Sequence, residues 1–152
     1  LSSISSLIVK PFMRHYTSNP DDTYAVDFTF YANRFPRDQR WYLAVEAKRL
    51  RGRGRSLARQ YVEDGVLRFV TGKYSRGHDH AIMLGYVVVG SVDRAVARVK
   101  SAMDRRNGET CQCTAFAPDS TLCTHPHTHM SSHYQNGATD QFALVHVFVD
   151  LC

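Results

Sequence analysis

An uninterrupted apolar run, AIMLGYVVVG at residues 81–90, sets the fold class of this chain because it lies between two helical patterns. The run is rich in β-branched residues and is bounded by polar and glycine residues, so it predicts a strand buried on both faces. Apolar residues recur at helical spacing from Ser56 to about Tyr74, and again from Ser91 to Arg106. Serine is a preferred N-cap residue, and we expect Ser56 and Ser91 to cap these two helices.

Two further segments alternate apolar and polar residues with the period of a strand. They span 24–31 and 41–48, and the polar segment 33–40 joins them. The pattern predicts a β-hairpin. A loop centred in the polar segment places Asp27 directly opposite Glu46, and facing residues of antiparallel strands lie on one face with their Cβ atoms ~4.5–5.5 Å apart.

The remaining segments complete an alternating α and β order. The opening LSSISSLIVK has apolar residues at helical spacing, which predicts a short helix. The segment 107–140 shows no periodicity and predicts irregular structure, and FALVHVFVDL at 142–151 predicts a final strand. The length of 152 residues suits one domain with one core. We therefore expect a single α/β domain with a mixed sheet flanked by helices.

Charge and hydropathy narrow the class of partner. The 19 Lys and Arg against 14 Asp and Glu give a net charge of +5, which favours a polyanionic partner. No apolar run approaches the ~18 residues of a membrane span. The N-terminus lacks the basic region and long apolar core of a secretory signal. We expect a cytoplasmic protein that makes no membrane contact.

The acidic pair in the hairpin has a chemistry of its own. Lys48 lies two residues after Glu46 and projects from the same strand face as Asp27 and Glu46. Two carboxylates this close repel each other unless a cation lies between them. Their hard oxygen ligands suit Mg²⁺ or Mn²⁺. Alternatively, the three residues are ordinary charges on the solvent-facing side of an antiparallel hairpin.

The chain has a recognisable order of elements. An acid lies on one strand and Glu-Ala-Lys on the next, and a helix, an apolar strand and a second helix follow. This order resembles the PD-(D/E)XK, or restriction-endonuclease-like, nuclease superfamily. The resemblance covers about 24–106, and residues 107–152 would add C-terminal strands and a Cys/His-rich loop to one domain over 1–152. It implies a mixed central β-sheet flanked by helices. No Asp or Glu precedes Asp21, so the acid that many members carry on an N-terminal helix is either absent or lies upstream of Leu1.

The resemblance also implies roles for individual residues. Asp27 and Glu46 would bind the divalent metal, with the backbone carbonyl of Ala47 as a further ligand. Lys48 would orient or help to deprotonate the attacking water and would stabilise the charge that builds on the phosphate. Asp21 is a second candidate for the first acid. The implied activity is Mg²⁺-dependent hydrolysis of DNA phosphodiester bonds, in a prokaryotic defence or DNA-processing system.

The sequence also leaves open an alternative function and the assembly in which the chain acts. The chain could be a catalytically inactive nucleic-acid-binding or assembly module with the same fold. It could also act within a homodimer or a larger complex, because cleavage of both DNA strands ordinarily requires two active sites.

A basic run follows the acidic hairpin. Arginine binds phosphate in a bidentate manner, and two glycines let the run approach a nucleic-acid backbone closely. It therefore predicts a phosphate clamp, and the alternative is a solvated charged loop. The arginines of this prediction are Arg49, Arg51, Arg53, Arg55 and Arg59.

Cysteines and histidines concentrate between residues 111 and 133. Cys111, Cys113, Cys123 and His125 have the ligand types of a structural zinc site and would define a zinc-dependent interaction module. Their spacing matches none of the common zinc patterns, so the alternative is free buried cysteines in an edge hairpin and histidines on an exposed loop. His146, within the last predicted strand, is expected to be a hydrogen-bonded core histidine.

Overall fold

The computed structural model describes residues 7–15, 24–32, 42–121, 123–135 and 141–152, with side chains at 27–30 and from 42 onward. This part of the chain forms a seven-stranded sheet with helices. The strands are β1 (Leu7–His15), β2 (Tyr24–Ala32), β3 (Tyr42–Leu50), β4 (His80–Val87), β5 (Gln112–Pro118), β6 (Thr128–Tyr134) and β7 (Gln141–Asp150). The helical segments are α1 (Ser56–Tyr61), a π-helical segment (Val62–Val66), α2 (Leu67–Val70), α3 (Val92–Arg105) and α4 (Asn107–Thr110).

The strand order is β1-β2-β3-β4-β7-β6-β5. The central strands β3, β4 and β7 run parallel, and antiparallel pairs flank them on both sides. The expected α/β class with a mixed sheet is therefore confirmed. Because β3, β4 and β7 advance in one direction, right-handed crossovers place the α1–α2 helix and α3 on the same face of the sheet.

Burial along the central strands follows this one-sided arrangement. On β4, Ala81, Met83 and Val87 are buried, whereas Ile82 and Leu84 between them are only half-buried. The prediction that 81–90 is buried on both faces was wrong, because the described helices cover only one face. The other face carries an open, mainly apolar cavity of about 510 Å³ lined by Asp27, Phe28, Ala47, Leu84, Tyr86, Val149 and Leu151.

Three local predictions require correction. Residues 7–10 belong to β1, which pairs with β2, so the predicted N-terminal helix is wrong there, and residues 1–6 lie outside the described ranges. Arg55 rather than Ser56 occupies the N-cap of α1, and no side chain caps it. The segment 107–140 is not irregular, because it contains α4, β5 and β6.

Other predictions hold. Both strands of the acidic hairpin form, and Phe28 pairs with Val45 in the predicted register. Ser91 caps α3, and its Oγ accepts a hydrogen bond from the backbone N–H of Arg94 at 3.4 Å. Along the described ranges, no helix combines the length and apolar character needed to cross a membrane.

A chain of buried side-chain hydrogen bonds ties the helical layer to the sheet. Tyr61 Oη lies 2.9 Å from His146 Nδ1, and Ser131 Oγ lies 2.8 Å from His146 Nε2 and 2.7 Å from His133 Nε2. His133 Nδ1 lies 2.8 Å from the carbonyl oxygen of Thr110. All five residues are buried, so the expected hydrogen-bonded core histidine is confirmed at His146.

One carbonyl fixes the direction of every bond in this chain while both histidines are neutral. The Thr110 oxygen can only accept, so His133 donates from Nδ1 and accepts at Nε2 from the Ser131 hydroxyl. Ser131 then accepts from His146 Nε2, and His146 Nδ1 accepts from Tyr61. Burial lowers the pKa of His133, and it lowers the pKa of His146 well below the ordinary value with a further contribution from the charges of His133 and His129.

These depressed histidine pKa values predict a loss of stability in acid. Below about pH 6.5 the unfolded chain binds protons that the folded chain does not, so stability falls with pH by up to about 1.4 kcal/mol per pH unit for each histidine. The replacement His146→Gln should lower the free energy of unfolding at pH 7.5 by about 1–3 kcal/mol. It should also flatten the decline between pH 6.5 and 5, as measured by urea denaturation. The exposed His80→Gln variant should leave both quantities unchanged, and an unaltered slope in His146→Gln would contradict the assignment.

Candidate active site

The acidic hairpin brings two carboxylates close together where the β2–β3 ladder ends. The β2–β3 ladder runs from Tyr31–Tyr42 to Phe28–Val45, and continuing this register places Asp27 opposite Glu46. The negative charge of Asp27 contributes to raising the pKa of Glu46, as expected for neighbouring acids. The structure therefore brings these two predicted site residues together.

Asp27 also binds the backbone of the facing strand. The N–H of Ala47 donates a hydrogen bond to Asp27 Oδ2 at 2.7 Å. In a strand, the N–H and C=O of one residue point toward the same neighbouring strand. The Ala47 carbonyl therefore lies on the Asp27 side of β3, where the family resemblance requires a further metal ligand.

Glu46 is buried at a position that most sheets fill with hydrocarbon. It is only 2% exposed, and its Oε2 has no hydrogen-bond partner among the described residues. Its Oε1 accepts from Lys48 Nζ and lies 3.9 Å from Arg68 Nη1. Burial raises the pKa of Glu46, while the hydrogen bond and charge of Lys48 oppose that rise. The site thus holds a poorly solvated carboxylate with one unsatisfied oxygen.

The π-helical segment covers this carboxylate and its lysine. At Gly65, a Cβ atom would lie 3.9 Å from Lys48 Cε and would overlap the end of the Met83 side chain. Glycine therefore leaves room for the Met83 side chain, and the Lys48 stem lies at ordinary contact distance from the helix. A π-helical turn inside an α-helix is rare and occurs frequently at functional sites.

Arg68 and Tyr74 are site residues that the sequence analysis missed. Arg68 Nη1 donates to Tyr74 Oη at 2.8 Å and approaches Glu46 from the helix side. Burial raises the pKa of Tyr74, and the negative charges of Glu46 and Asp27 add to that rise. The available signal was spacing: Gly65 and Arg68 follow Tyr61 by four and seven residues on the predicted inner face.

The metal-binding capacity of the site rests on two acids. Within the described residues, no group of three or more His, Cys, Asp or Glu is arranged to hold a metal ion. Mg²⁺ commonly binds through one or two carboxylates and completes its shell with water and phosphate, so Asp27 and Glu46 fit such an ion. The orphaned Glu46 Oε2 is the atom available to it. The second candidate acid, Asp21, lies outside the described residues.

The arginines of the predicted clamp do not lie together on one surface of the protein. Arg49 follows Lys48 on β3, so it projects from the opposite face of the sheet to Glu46. The loop after β3 is anchored at Gly52, whose N–H donates to the Val89 carbonyl at 2.7 Å. Four arginines of the predicted set are exposed in this loop and the first helical turns: Arg51, Arg53, Arg55 and Arg59. Arg59 also pairs with Glu63 at 3.2 Å.

The predicted zinc ligands do not form a metal-ligand group. Cys111, Cys113 and Cys123 are free thiols, and His125 accepts a hydrogen bond at Nδ1 from the backbone N–H of His127 at 3.4 Å. None of the four belongs to a set of three potential ligands in the described structure. The three cysteines are half-buried rather than buried as the alternative expected, and Cys113 lies in β5, the edge strand.

Comparison of the chain with protein-family models, curated proteins and solved structures found no significant match.

The burial of Glu46 predicts a measurable cost in stability. Its folded-state pKa is raised, so the folded chain binds more protons than the unfolded chain above pH 4.5, and stability decreases as pH rises through the folded pKa. The replacement Glu46→Gln should therefore raise the free energy of unfolding at pH 7.5, by about 0.5–2 kcal/mol.

A matched control is Glu109→Gln, at an exposed carboxylate paired with Arg106. It should change stability by less than about 0.5 kcal/mol in urea denaturation. A loss of about 3–5 kcal/mol in Glu46→Gln would contradict the prediction and identify the Lys48–Glu46 pair as net stabilising.

Proposed function

We propose that this chain is a divalent-metal-dependent nuclease that hydrolyses DNA phosphodiester bonds and has a restriction-endonuclease-like fold. The observation that carries the proposal is the buried Glu46 carboxylate, which has an unpartnered oxygen beside Asp27 and Lys48. A carboxylate held in this way at a cost in stability is typical of a functional group.

The proposed metal centre is formed by Asp27, Glu46 and the Ala47 carbonyl. When bound there, Mg²⁺ or Mn²⁺ supplies Lewis-acid polarisation of the phosphate and lowers the pKa of a water molecule. The protein fixes the two carboxylates on adjacent strands, and the Ala47 N–H holds Asp27 in place through its 2.7 Å hydrogen bond. This rigid placement on strands supports a preorganised site.

Lys48 is the proposed partner of the attacking water and of the developing charge on the phosphate. Its side chain is 23% exposed, and its ammonium group bonds to Glu46. Arg68 and Tyr74 would hold the other side of the Glu46 carboxylate and limit its movement. Arg68 adds a second positive charge close to the site, where it favours an anionic substrate.

A DNA substrate is supported by charge. The net charge is +5, and the exposed arginines of the loop after β3 follow directly from the strand that carries Glu46 and Lys48. Contacts of this type are made to phosphates rather than to bases, so they favour cleavage with little sequence preference. A role in a defence or DNA-processing system, in a homodimer or larger complex, belongs to the same proposal.

One observation favours the alternative of a catalytically inactive nucleic-acid-binding module. Lys48 Nζ bonds directly to Glu46 Oε1 and so neutralises the carboxylate without a metal. A binding module needs only this neutralised pair and the basic surface. The two candidates differ in whether the site binds a divalent cation.

Cleavage assays test the activity directly. We expect the wild type to cut plasmid and linear DNA with Mg²⁺ or Mn²⁺, and Glu46→Gln and Lys48→Met to lose at least about 10²-fold in rate, because each removes an electrostatic contribution at the site. The exposed variants Glu109→Gln and Lys100→Met make matched charge changes and should cut at the wild-type rate. DNA binding without cutting in the wild type, unchanged in the site variants, would support the inactive module instead.

Thermal unfolding tests the metal site without an activity assay. A ligand that binds only the folded chain stabilises it by about 2.7 kcal/mol at one hundred times its Kd. The melting temperature of the wild type should therefore rise with Mg²⁺ or Mn²⁺ concentration, and that of Glu46→Gln should not. An equal rise in both proteins would place the cation elsewhere.

A further inference from the structure

A basic groove lies between α1 and α3, on the helical layer of the domain. The open cavity has a volume of about 430 Å³. The start of the first helix contributes Arg55 and Ala58. One stripe of α3 contributes the remaining lining residues: Arg94, Ala97, Arg98, Ser101 and Arg105. The name α1–α3 groove is used for these seven residues.

The α1–α3 groove concentrates positive charge that no acid neutralises. Four of its seven lining residues are arginines, and none is acidic. Among the described residues, no ion pair involves any of the four. Of the acids in neighbouring turns, Asp104 pairs with Lys100, Glu63 pairs with Arg59 and Arg106, and Asp93 lies 3.8 Å from His127. Clefts lined by one sign of charge focus the electric field and attract counter-ions.

Two of the arginines are positioned by hydrogen bonds that leave donors for a ligand. Arg98 Nε donates to the carbonyl oxygen of Gly52 at 3.1 Å, and Arg105 Nη1 donates to Ser101 Oγ at 2.6 Å. A guanidinium group has five N–H donors, so most of them stay available to oxygen acceptors in the groove. Arg94 and Arg105 are exposed, and the remaining lining residues other than arginine, Ala58, Ala97 and Ser101, have small side chains.

The shape of the groove selects a polymer over a single phosphate. Arg94 and Arg105 are eleven residues apart on one helix, which corresponds to about 16 Å along its axis. A row of guanidinium groups of this length matches a chain of phosphates. The lining has no aromatic ring to stack on a base and no amide side chain to read a base edge.

We propose that the α1–α3 groove binds the phosphate backbone of a nucleic-acid strand, independently of base sequence. Arg94, Arg98 and Arg105 are phosphate-binding residues that the sequence analysis did not identify. The Gly52 carbonyl that positions Arg98 belongs to the loop that leaves β3, so the groove is linked to the strand that carries Glu46. The inference extends the proposed nuclease function, but binding at the groove requires neither a metal ion nor cleavage.

The test measures binding in EDTA, where the proposed catalysis cannot occur. Fluorescence anisotropy with a labelled 30-base-pair DNA duplex would compare the wild type, Arg94→Gln/Arg105→Gln, and a charge-matched control, Lys100→Gln/Arg76→Gln. We expect the groove variant to bind at least about tenfold more weakly. The slope of log affinity against log salt should fall by about 2, because two phosphate contacts are lost. The control pair is exposed and lies outside the groove, so it should change affinity less than twofold.

Each other outcome overturns the proposal in a distinct way. Equal weakening by both double variants would show that net charge alone is responsible, and unchanged binding in the groove variant would remove the site. Displacement of the duplex by a nucleoside monophosphate at micromolar concentration would assign the groove to a small phosphorylated ligand. The assay in EDTA measures binding alone, so a failure of cleavage leaves the groove result intact.

Discussion

The arrangement of this domain depends on one packing constraint, the placement of both helices on the same face of three parallel strands. On β3, β4 and β7, only every second residue faces the helical layer, so alternate side chains of each strand form the core. Glu46 and His146 both fall on this covered face and are almost completely removed from solvent. Burial of a polar group costs free energy unless it finds a partner, so both residues need compensation inside the core.

The two buried groups are compensated to different extents. Both ring nitrogens of His146 have hydrogen-bond partners, and the residue behaves as a structural element that joins β7 to α1 and β6. Glu46 has Lys48 on one oxygen and, within the described part of the chain, no hydrogen-bond partner on the other. A satisfied polar group rigidifies a core, whereas an unsatisfied one marks a position where function has outweighed stability. This difference separates the candidate site from the rest of the polar core.

Local patterns predicted much of the fold and the centre of the candidate site. The centre of the polar loop predicted the register of the hairpin, and with it the approach of Asp27 to Glu46. The alternation supports that register, because a slip of one residue would turn every side chain to the other face. The capping of α3 by Ser91 followed from one side chain and the helix it precedes. These features depend on residues that are close in sequence, so a single chain contains the information for them.

Features that depend on distant packing could not be predicted in the same way. Ile82 and Leu84 are half-buried because no described helix covers their face. The apolar run alone does not show whether helices pack on one face of the strand or on both. The helical spacing of residues 1–10 gave no sign of β1, the outermost strand, where the missing N–H of Pro11 is tolerated. Arg68 approaches Glu46 from a helix that contains a π-helical segment, and the sequence carries no simple signal for that segment.

The series of buried hydrogen bonds that begins at the Tyr61 hydroxyl and ends at the Thr110 carbonyl has one direction of proton donation. Reversing it would leave the Thr110 carbonyl facing a lone pair of His133, and the Tyr61 hydroxyl would be left with the Met83 carbonyl at 3.5 Å as an acceptor. No single bond can therefore reverse unless its neighbours reverse as well. The donor and acceptor roles of groups in the helix beside the candidate site and in the C-terminal hairpin are therefore fixed together. The four hydrogen bonds respond to a disturbance at either end as a single cooperative unit.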